Sequence, residues 1–228
     1  MRRREFITLL GATSAFPFSV GAQQPTMPVI GFMSSRSPAE SADSVSAFRQ
    51  GLREAGFIEG QNLLIAFRWA EGRYDRLREL AADLVGLRVA ILFAAGGSPS
   101  ALAAKAATST IPIVFSASND PVSLGLVSSL SRPGGNITGM SAFNSELGPK
   151  RLELLKELVP TATTIAYLAN PTNPIAEAEL KAALAMASAL SIQLHVLNAS
   201  TDHELDAAFT AARWWAGRCW RTVLRQQA

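Results

Sequence analysis

The chain has 228 residues, of which 48% are hydrophobic and 17% are charged, and its formal net charge is +3. This composition excludes a disordered chain, and the length allows one large domain or two small ones. Arginines concentrate at the two ends, so the long stretch between them is net negative and lacks the clustered Lys and Arg of a nucleic-acid-binding surface. The single cysteine, Cys219, excludes an internal disulfide and a Cys-based metal site.

Residues 1–22 have the three parts of a secretory signal peptide. Arg2–Arg4 form a basic start, an apolar stretch follows, and Val20-Gly21-Ala22 supply small residues for cleavage. Arg3-Arg4 also resembles a twin-arginine export signal. A membrane anchor is the alternative, but the apolar stretch is shorter than the roughly 20 residues that span a bilayer and contains Pro17. We therefore expect export to the periplasm, and a soluble protein after cleavage near Ala22.

Strands and helices alternate from Pro28 onward. Short apolar segments predict strands, and apolar residues at helical spacing predict the helices between them. The predicted strands of the first region, 28–141, are Val29–Met33, Leu63–Trp69, Val89–Ala94, Ile111–Phe115 and Ile137–Met140. Its predicted helices start at Ser37-Pro38, Tyr74 and Ser100. This alternation predicts an α/β fold of doubly wound parallel sheets, with 28–141 as a Rossmann-like first lobe.

The same alternation continues over 147–212, which we interpret as a partial second lobe. It comprises helix Leu147–Leu158, strand Thr164–Ala169, helix Ile175–Leu190, strand Gln193–Leu197 and a helix capped by Thr201 or Asp202. We expect Leu152, Leu155 and Leu158 to face the core. The tail, 213–228, differs abruptly, with three of the four tryptophans and four arginines but no acid. Either it is a basic amphipathic helix for a membrane or partner, or it is a frame-shifted or truncated end, which we favour.

Polar residues follow several predicted strands, where open α/β sheets bind ligands. The candidate ligand-binding residues in these loops are Ser34, Ser35, Gly97, Ser98, Ser116, Ser118, Asn119, Asp120 and Asn170. Glycine at 97 lets a ligand approach the backbone, and the helix that follows presents free N–H groups to an anion such as a carboxylate.

Each candidate loop also has a purely structural interpretation. Ser98 would cap its helix with Pro99 at the first helical position. Asp120 would either begin a turn at Pro121 or pair with a ligand ammonium group. Asn170 would start the turn before the next helix.

No catalytic pattern accompanies these loops. The Gly96-Gly97-Ser98 turn lacks the nucleophile elbow, the Walker A lysine and the third glycine of a dinucleotide site. His195 and His203 stand apart from any Cys or carboxylate cluster, so we expect structural roles for both. We therefore predict no catalytic residue, no metal site and no cofactor.

Several segments together resemble one family. These are IPIVFSASNDPVSLGLVSSLSRPGGNITGMS, PVIGFMSSRSPAES, FRQGLREAGFIEGQN, GGSPSALAAKAAT and KRLELLKELVPTATTIAYLANPTNP. They resemble the substrate-binding proteins of ABC importers, in particular the type related to tryptophan- and tyrosine-binding proteins. The resemblance implies a type I periplasmic binding protein fold, in which two lobes close on a small solute, and a membrane permease as partner. It also implies that Tyr167 and Asn170 face the cleft from the second lobe.

The resemblance favours an amino acid as solute and a monomeric protein without chemistry. An exported α/β hydrolase is the alternative, but it would need a nucleophile with a base in reach. A sensor lobe of a regulator would carry a DNA-binding or signalling module. Because the second lobe breaks off at the tail, we expect this chain to bind solute weakly or not at all and to aggregate.

Overall fold

The computed structural model describes residues 27–143 and 147–213. The predicted signal peptide and all but the first residue of the predicted tail lie outside these ranges. Within them, strands and helices alternate as the sequence predicts. The strands form two sheets, one of five strands and one of two.

The first sheet is entirely parallel. Its strands are β1 (Val29–Ser34), β2 (Leu64–Trp69), β3 (Ile91–Ala95), β4 (Ile113–Ala117) and β5 (Ile137–Ser141). Their order in the sheet is β2-β1-β3-β4-β5, with Val29 opposite Leu64 and Ile113 opposite Ile137. The crossovers contain α1 (Ala42–Glu54), α2 (Leu77–Gly86) and α3 (Ser98–Ala107). We call this sheet and its helices the first lobe.

Side chains alternate between the two faces of this sheet. One face packs against α2 and α3 in a core that contains Met33, Leu84, Leu92, Ile113 and Phe115, all at most 2% exposed. The opposite face packs against α1 through aromatic residues. Helices on both faces of a parallel sheet confirm the predicted doubly wound architecture.

The aromatic side of the sheet forms a continuous cluster beneath α1. Phe32 lies at its centre, and its ring centroid is 5.2–5.4 Å from those of four aromatic neighbours, Phe48, Phe67, Trp69 and Phe93. The pairs Phe48–Phe93 and Phe67–Trp69 are stacked, at 4.8 and 5.7 Å. The apolar strands therefore build two separate cores, and the aromatic one reaches the carboxyl ends of β1 and β3.

The second sheet has two parallel strands, β6 (Thr164–Ala169) and β7 (Gln193–Asn198). The helices α4 (Leu147–Leu158) and α5 (Ala176–Ala189) precede its two strands, and a helix, α6, covers residues 202–213. Its small core contains Leu152, Ala183, Ala187 and Ile192. We call this unit the second lobe.

The prediction that Leu152, Leu155 and Leu158 of α4 all face the core is correct only for Leu152. Leu152 is 6% exposed, but Leu155 and Leu158 are 44% and 78% exposed. Each step of three residues rotates a side chain by about 60° around the helix, so two steps carry Leu158 away from the core.

Two hydroxyl residues, Ser37 and Thr201, form reciprocal hydrogen bonds with a glutamate three positions later. The Ser37 N–H donates to Glu40 Oε2 at 2.8 Å, and the Glu40 N–H donates to Ser37 Oγ at 3.3 Å. Residues 38–41 form turns there, so α1 starts later than the predicted Ser37 cap. At α6, the Glu204 N–H donates to Thr201 Oγ1 at 3.3 Å, which confirms Thr201 as the cap.

Among the described helices, none combines the length and the hydropathy that a transmembrane segment requires.

Candidate functional site

The carboxyl ends of β1, β3 and β4 meet at one edge of the first sheet because these strands are adjacent and parallel. A cavity of about 400 Å³ opens there. Its lining combines aromatic residues with hydroxyl and glycine residues from the strand-end loops. The lining residues are Phe32, Ser34, Arg36, Ser41, Ser44, Phe48, Phe93, Ala95, Gly96, Gly97, Ser116, Ala117, Ser118 and Ala142. This volume suits a small metabolite.

Four of the predicted residues come together at this cavity: Ser34, Gly97, Ser116 and Ser118. They lie at the carboxyl ends of three strands that are far apart in the sequence, with Ser34 and Ser116 still inside β1 and β4. Gly97 directly precedes α3 and has a φ of 109°, a conformation that L side chains rarely adopt. The cavity therefore presents neutral hydroxyls and the N-terminal end of a helix, which favour a polar or anionic group of a ligand.

The carbonyl group of the adjacent glycine, Gly96, links the loop after β3 to the loop after β1. Ser35 is 4% exposed, and its hydroxyl donates to the Gly96 carbonyl at 2.7 Å. The Ser34 hydroxyl accepts from the Arg36 N–H at 3.1 Å. Ser35 thus fixes the position of the Gly96-Gly97 turn relative to β1, although it does not line the cavity.

The apolar wall of the cavity was not identified from the sequence. Phe32, Phe48 and Phe93 line it, yet each also belongs to the aromatic cluster under α1. Periodicity marks Phe48 as a core residue and cannot show that the end of this core is open. The alternation of Phe32 and Ser34 along β1 is the signal that could have revealed it, since both point to one face.

Asn119 is buried next to the cavity, with 6% of its surface exposed. Its Oδ1 accepts hydrogen bonds from the Ser98 hydroxyl at 2.7 Å and from the Ser118 hydroxyl at 3.2 Å. Its backbone carbonyl accepts from the Ser141 hydroxyl at 2.6 Å. Ser98 is itself fully buried, so its hydroxyl orients the Asn119 amide within the loop network.

The Asp120 carboxylate is engaged by its own turn. Its Oδ1 accepts from the Val122 N–H at 2.9 Å, and its Oδ2 accepts from the Ser123 N–H at 3.3 Å. These hydrogen bonds support the turn interpretation of Asp120.

The two candidates of the second lobe, Tyr167 and Asn170, do not line this cavity. Tyr167 packs against the small core, and burial, reinforced by the charge of Glu179, raises the pKa of its hydroxyl. The Asn170 Oδ1 accepts from the N–H and the hydroxyl of Thr172, at 3.0 and 2.7 Å, as in a turn that starts a helix.

Three ionisable residues near the cavity were not predicted as site residues. Arg36 lines the cavity and brings a positive charge to it. Burial raises the pKa of the Tyr74 hydroxyl, Arg36 opposes this rise, and Glu179 and Glu40 add to it. Glu179 comes from α5, and its carboxylate accepts a hydrogen bond from Asn119 Nδ2 at 2.9 Å. No local motif marks Glu179, because its partner lies 60 positions away in the sequence.

The arrangement suits binding better than catalysis. In the part of the chain that the structure describes, no group of three or more His, Cys, Asp or Glu residues could hold a metal ion. Among the described residues that line the cavity, neutral hydroxyls predominate and Arg36 is the ionisable side chain.

Comparison with known proteins identifies the family. Residues 29–214 match the model of a family described as ABC transporter substrate binding protein. The chain belongs to this family. Its members are solute-binding proteins and not enzymes, so the family assignment favours the predicted binding protein over a hydrolase.

Individual relatives agree with this assignment. The chain is 38% identical over 123 residues to a tyrosine-binding protein of Clostridioides difficile (strain R20291), an alignment that covers 54% of this chain and 35% of that protein. A conserved domain protein of Vibrio cholerae has a similar structure, with a TM-score of 0.70 and 28% identity over 82% of this chain and 62% of that one. The ABC domain of Streptococcus pneumonia in complex with L-Trp has a TM-score of 0.67 and 24% identity with the same coverage.

These structures confirm the type I periplasmic binding protein fold. The chain spans about a third of the length of the tyrosine-binding protein and 62% of each of the two solved structures.

Proposed function

We propose that this chain is the solute-binding component of an ABC importer, outside the cytoplasm, and that it binds a small amino-acid solute without chemistry. The cavity at the carboxyl ends of β1, β3 and β4 carries this proposal. Its aromatic wall suits an apolar side chain, while its hydroxyls and the α3 N-terminus suit a carboxylate. The partner would be a membrane permease, to which a monomer delivers the solute.

The tyrosine-binding relative supports an amino acid with an aromatic side chain as the solute. Phe48 and Phe93 are stacked on one side of the cavity, so an aromatic ring can pack against them. Arg36 lies on the lining and can pair with the solute carboxylate. Ser34, Gly97, Ser116 and Ser118 would then supply neutral hydrogen bonds around it.

We expect binding to be weak for this chain. The described residues that line the cavity belong to the first lobe, apart from Ala142, which directly follows β5. One side of a bound solute would therefore remain exposed to water. Pockets that bind tightly bury most of the ligand surface, and we therefore expect a Kd above about 10 µM for L-tyrosine.

The experiment is a titration of the purified full chain with L-tyrosine, L-tryptophan and L-leucine. Binding is measured by isothermal titration calorimetry and by ligand-observed NMR. The variant Arg36→Gln should weaken binding of a preferred amino acid about tenfold, since it removes the charge partner of the carboxylate. The control is Arg78→Gln, an exposed arginine of α2 that does not line the cavity. Equal affinities for Arg36→Gln and the parent chain, or hydrolysis of any bound compound, would contradict the proposal.

A further inference from the structure

We propose that Asn119 and Glu179 form a clasp between the two lobes, and that opening the cleft requires this hydrogen bond to break. Asn119 lies in the loop after β4 of the first lobe, and Glu179 lies in the first turn of α5 in the second lobe. The distance from Asn119 Nδ2 to Glu179 Oε1 is 2.9 Å. This inference goes beyond solute binding, because the clasp forms between protein groups alone.

The orientation of the Asn119 amide is fixed from both sides. A carboxylate can only accept hydrogen bonds, so the NH₂ group of Asn119 must face Glu179. The opposite side, Oδ1, then accepts from the hydroxyls of Ser98 and Ser118. Because each donor meets an acceptor in only this orientation, the Asn119 donor is aimed at the second lobe before Glu179 arrives.

Asn119 is also immobile relative to the first lobe. Ser98 begins α3, Ser118 follows β4, and Ser141 ends β5, so its three hydroxyl partners hold it to three elements. A hinge motion of the lobes therefore carries Glu179 away while Asn119 stays in place. Opening would break this bond and expose the Asn119 NH₂ group and the Glu179 carboxylate to water, so the charge-assisted bond contributes to the free energy of opening.

Charge strengthens this contact. The acceptor is a carboxylate that is only partly exposed, and hydrogen bonds to ionised groups are stronger than bonds between neutral groups. Glu179 also influences Tyr74 of the first lobe, whose pKa is raised mainly by burial and further by this carboxylate. Glu179 thus interacts with two separate parts of the first lobe.

The test measures the distance between the lobes without solute. Spin labels on Ser46→Cys in α1 and Ala178→Cys in α5, both exposed, report this distance in the full chain with Cys219→Ser. In this labelled background we expect Glu179→Ala to raise the open population about tenfold, as the loss of a charge-assisted bond predicts. Glu177→Ala is the matched control, because it removes the same charge from the same exposed turn.

A polarity swap separates the clasp from a general effect on folding. Asn119→Asp alone places a second carboxylate against Glu179 and should favour opening. The double variant N119D/E179Q reverses donor and acceptor, so it should restore the closed distance while Ser98 and Ser118 still donate to residue 119. An unchanged distance in Glu179→Ala, an equal change in Glu177→Ala, or failure of the double variant to restore closure would overturn the clasp.

A second readout rests on the proposed function. If closure retains solute, Glu179→Ala should weaken L-tyrosine binding about tenfold while Glu177→Ala leaves it unchanged. A parent chain that closes normally but binds none of the tested amino acids would contradict the proposed function and leave the clasp intact. If the parent chain binds L-tyrosine but Glu179→Ala leaves the distance between the lobes unchanged, the clasp is contradicted and the proposed function stands.

Discussion

Ser98 and Ser100 lie two positions apart in the first turn of α3, and both are fully buried, yet their hydroxyls differ. The Ser98 hydroxyl donates to Asn119 at 2.7 Å. The Ser100 hydroxyl has no hydrogen-bond partner among the described residues. A buried hydroxyl without a partner lowers stability, whereas a bonded one does not.

This difference predicts that replacing each serine with alanine has opposite effects on the free energy of unfolding. We expect Ser100→Ala to raise the free energy of unfolding by about 1 kcal/mol, because it removes an unsatisfied buried group. Ser98→Ala should lower the same free energy by about 1–2 kcal/mol, because Asn119 loses a donor. Urea denaturation of both variants is the measurement, and a destabilised Ser100→Ala would show that its hydroxyl is satisfied in solution.

Gly96 is the most constrained glycine near the cavity. It has a φ of 81°, and an added Cβ would lie 2.6 Å from Ser35 Oγ, 2.7 Å from Ser34 Oγ and 2.8 Å from the Ser35 nitrogen. We expect Gly96→Ala to cost about 2 kcal/mol or more, through both strain and steric overlap. Gly51→Ala is the control and should stabilise by about 0.5–1 kcal/mol, because its site in α1 is open. Thermal unfolding that ranks the two variants equally would contradict this account.

At the candidate site, the residues whose placement depends on the order of the parallel strands could be predicted from the sequence. The residues whose placement depends on long-range packing could not. Ser34, Gly97, Ser116 and Ser118 lie at or just beyond the carboxyl ends of adjacent parallel strands, which meet at one edge of the sheet. Glu179 could not be predicted, because its role depends on where α5 lies relative to the β4 loop. Asp120 carries a charge that suggested a ligand, and its two oxygens accept hydrogen bonds from the Val122 and Ser123 N–H groups of its own turn.

At the scale of elements, strand and helix positions were largely predictable. Helix Leu147–Leu158 and strand Thr164–Ala169 have the predicted bounds, because their apolar periods are regular. Helix α1 differs, since the pattern Ser37-Pro38-Ala39-Glu40 is typical of a helix start but forms turns here. The reciprocal bonds of Ser37 and Glu40 hold that turn, and α1 begins only at Ala42.

The same turn predicts a dependence on pH. The Ser37 N–H and hydroxyl, with a smaller contribution from Arg36, hold the pKa of Glu40 below its ordinary value of 4.5. Because the pKa of Glu40 is lower in the folded state than in the unfolded state, ionisation of this carboxyl group stabilises the fold above pH 4.5. This stabilisation is lost as the pH falls through the folded-state pKa. We expect Glu40→Gln to be less stable than the parent chain at pH 7, with the difference vanishing near pH 2. Urea unfolding at both pH values measures it, with Glu157→Gln on the exposed side of α4 as control; a constant difference would refute it.

At the scale of the whole molecule, the two lobes differ in how much structure supports each sheet. In the described part of the chain, the first lobe has five strands between helices on both faces, whereas the second has two strands and a smaller core cluster around Leu152 and Ala187. Leu154, Leu168 and Leu184 of the second lobe are each 45–51% exposed. Two-stranded sheets are marginally stable without further packing.

We therefore expect the lobes to open locally with different free energies. Amide hydrogens of β6 and β7 should exchange at least about 100-fold faster than those of β1 and β3. Hydrogen exchange followed by mass spectrometry on the full chain resolves the two sheets in one measurement. Equal protection of both sheets would mean that the second lobe gains stability from contacts that its own elements do not provide.

Phe32, Phe48 and Phe93 serve as cavity wall and as lobe interior at once. Any substitution that reshapes this wall also removes aromatic packing beneath α1. Under the proposed function, variation in solute preference should arise first at Arg36, Ser44 and Ser116, which line the cavity but do not belong to the aromatic cluster. If the cavity holds the solute as proposed, its specificity can change most easily on the polar side of the cavity, whereas a change on the aromatic side lowers the stability of the first lobe.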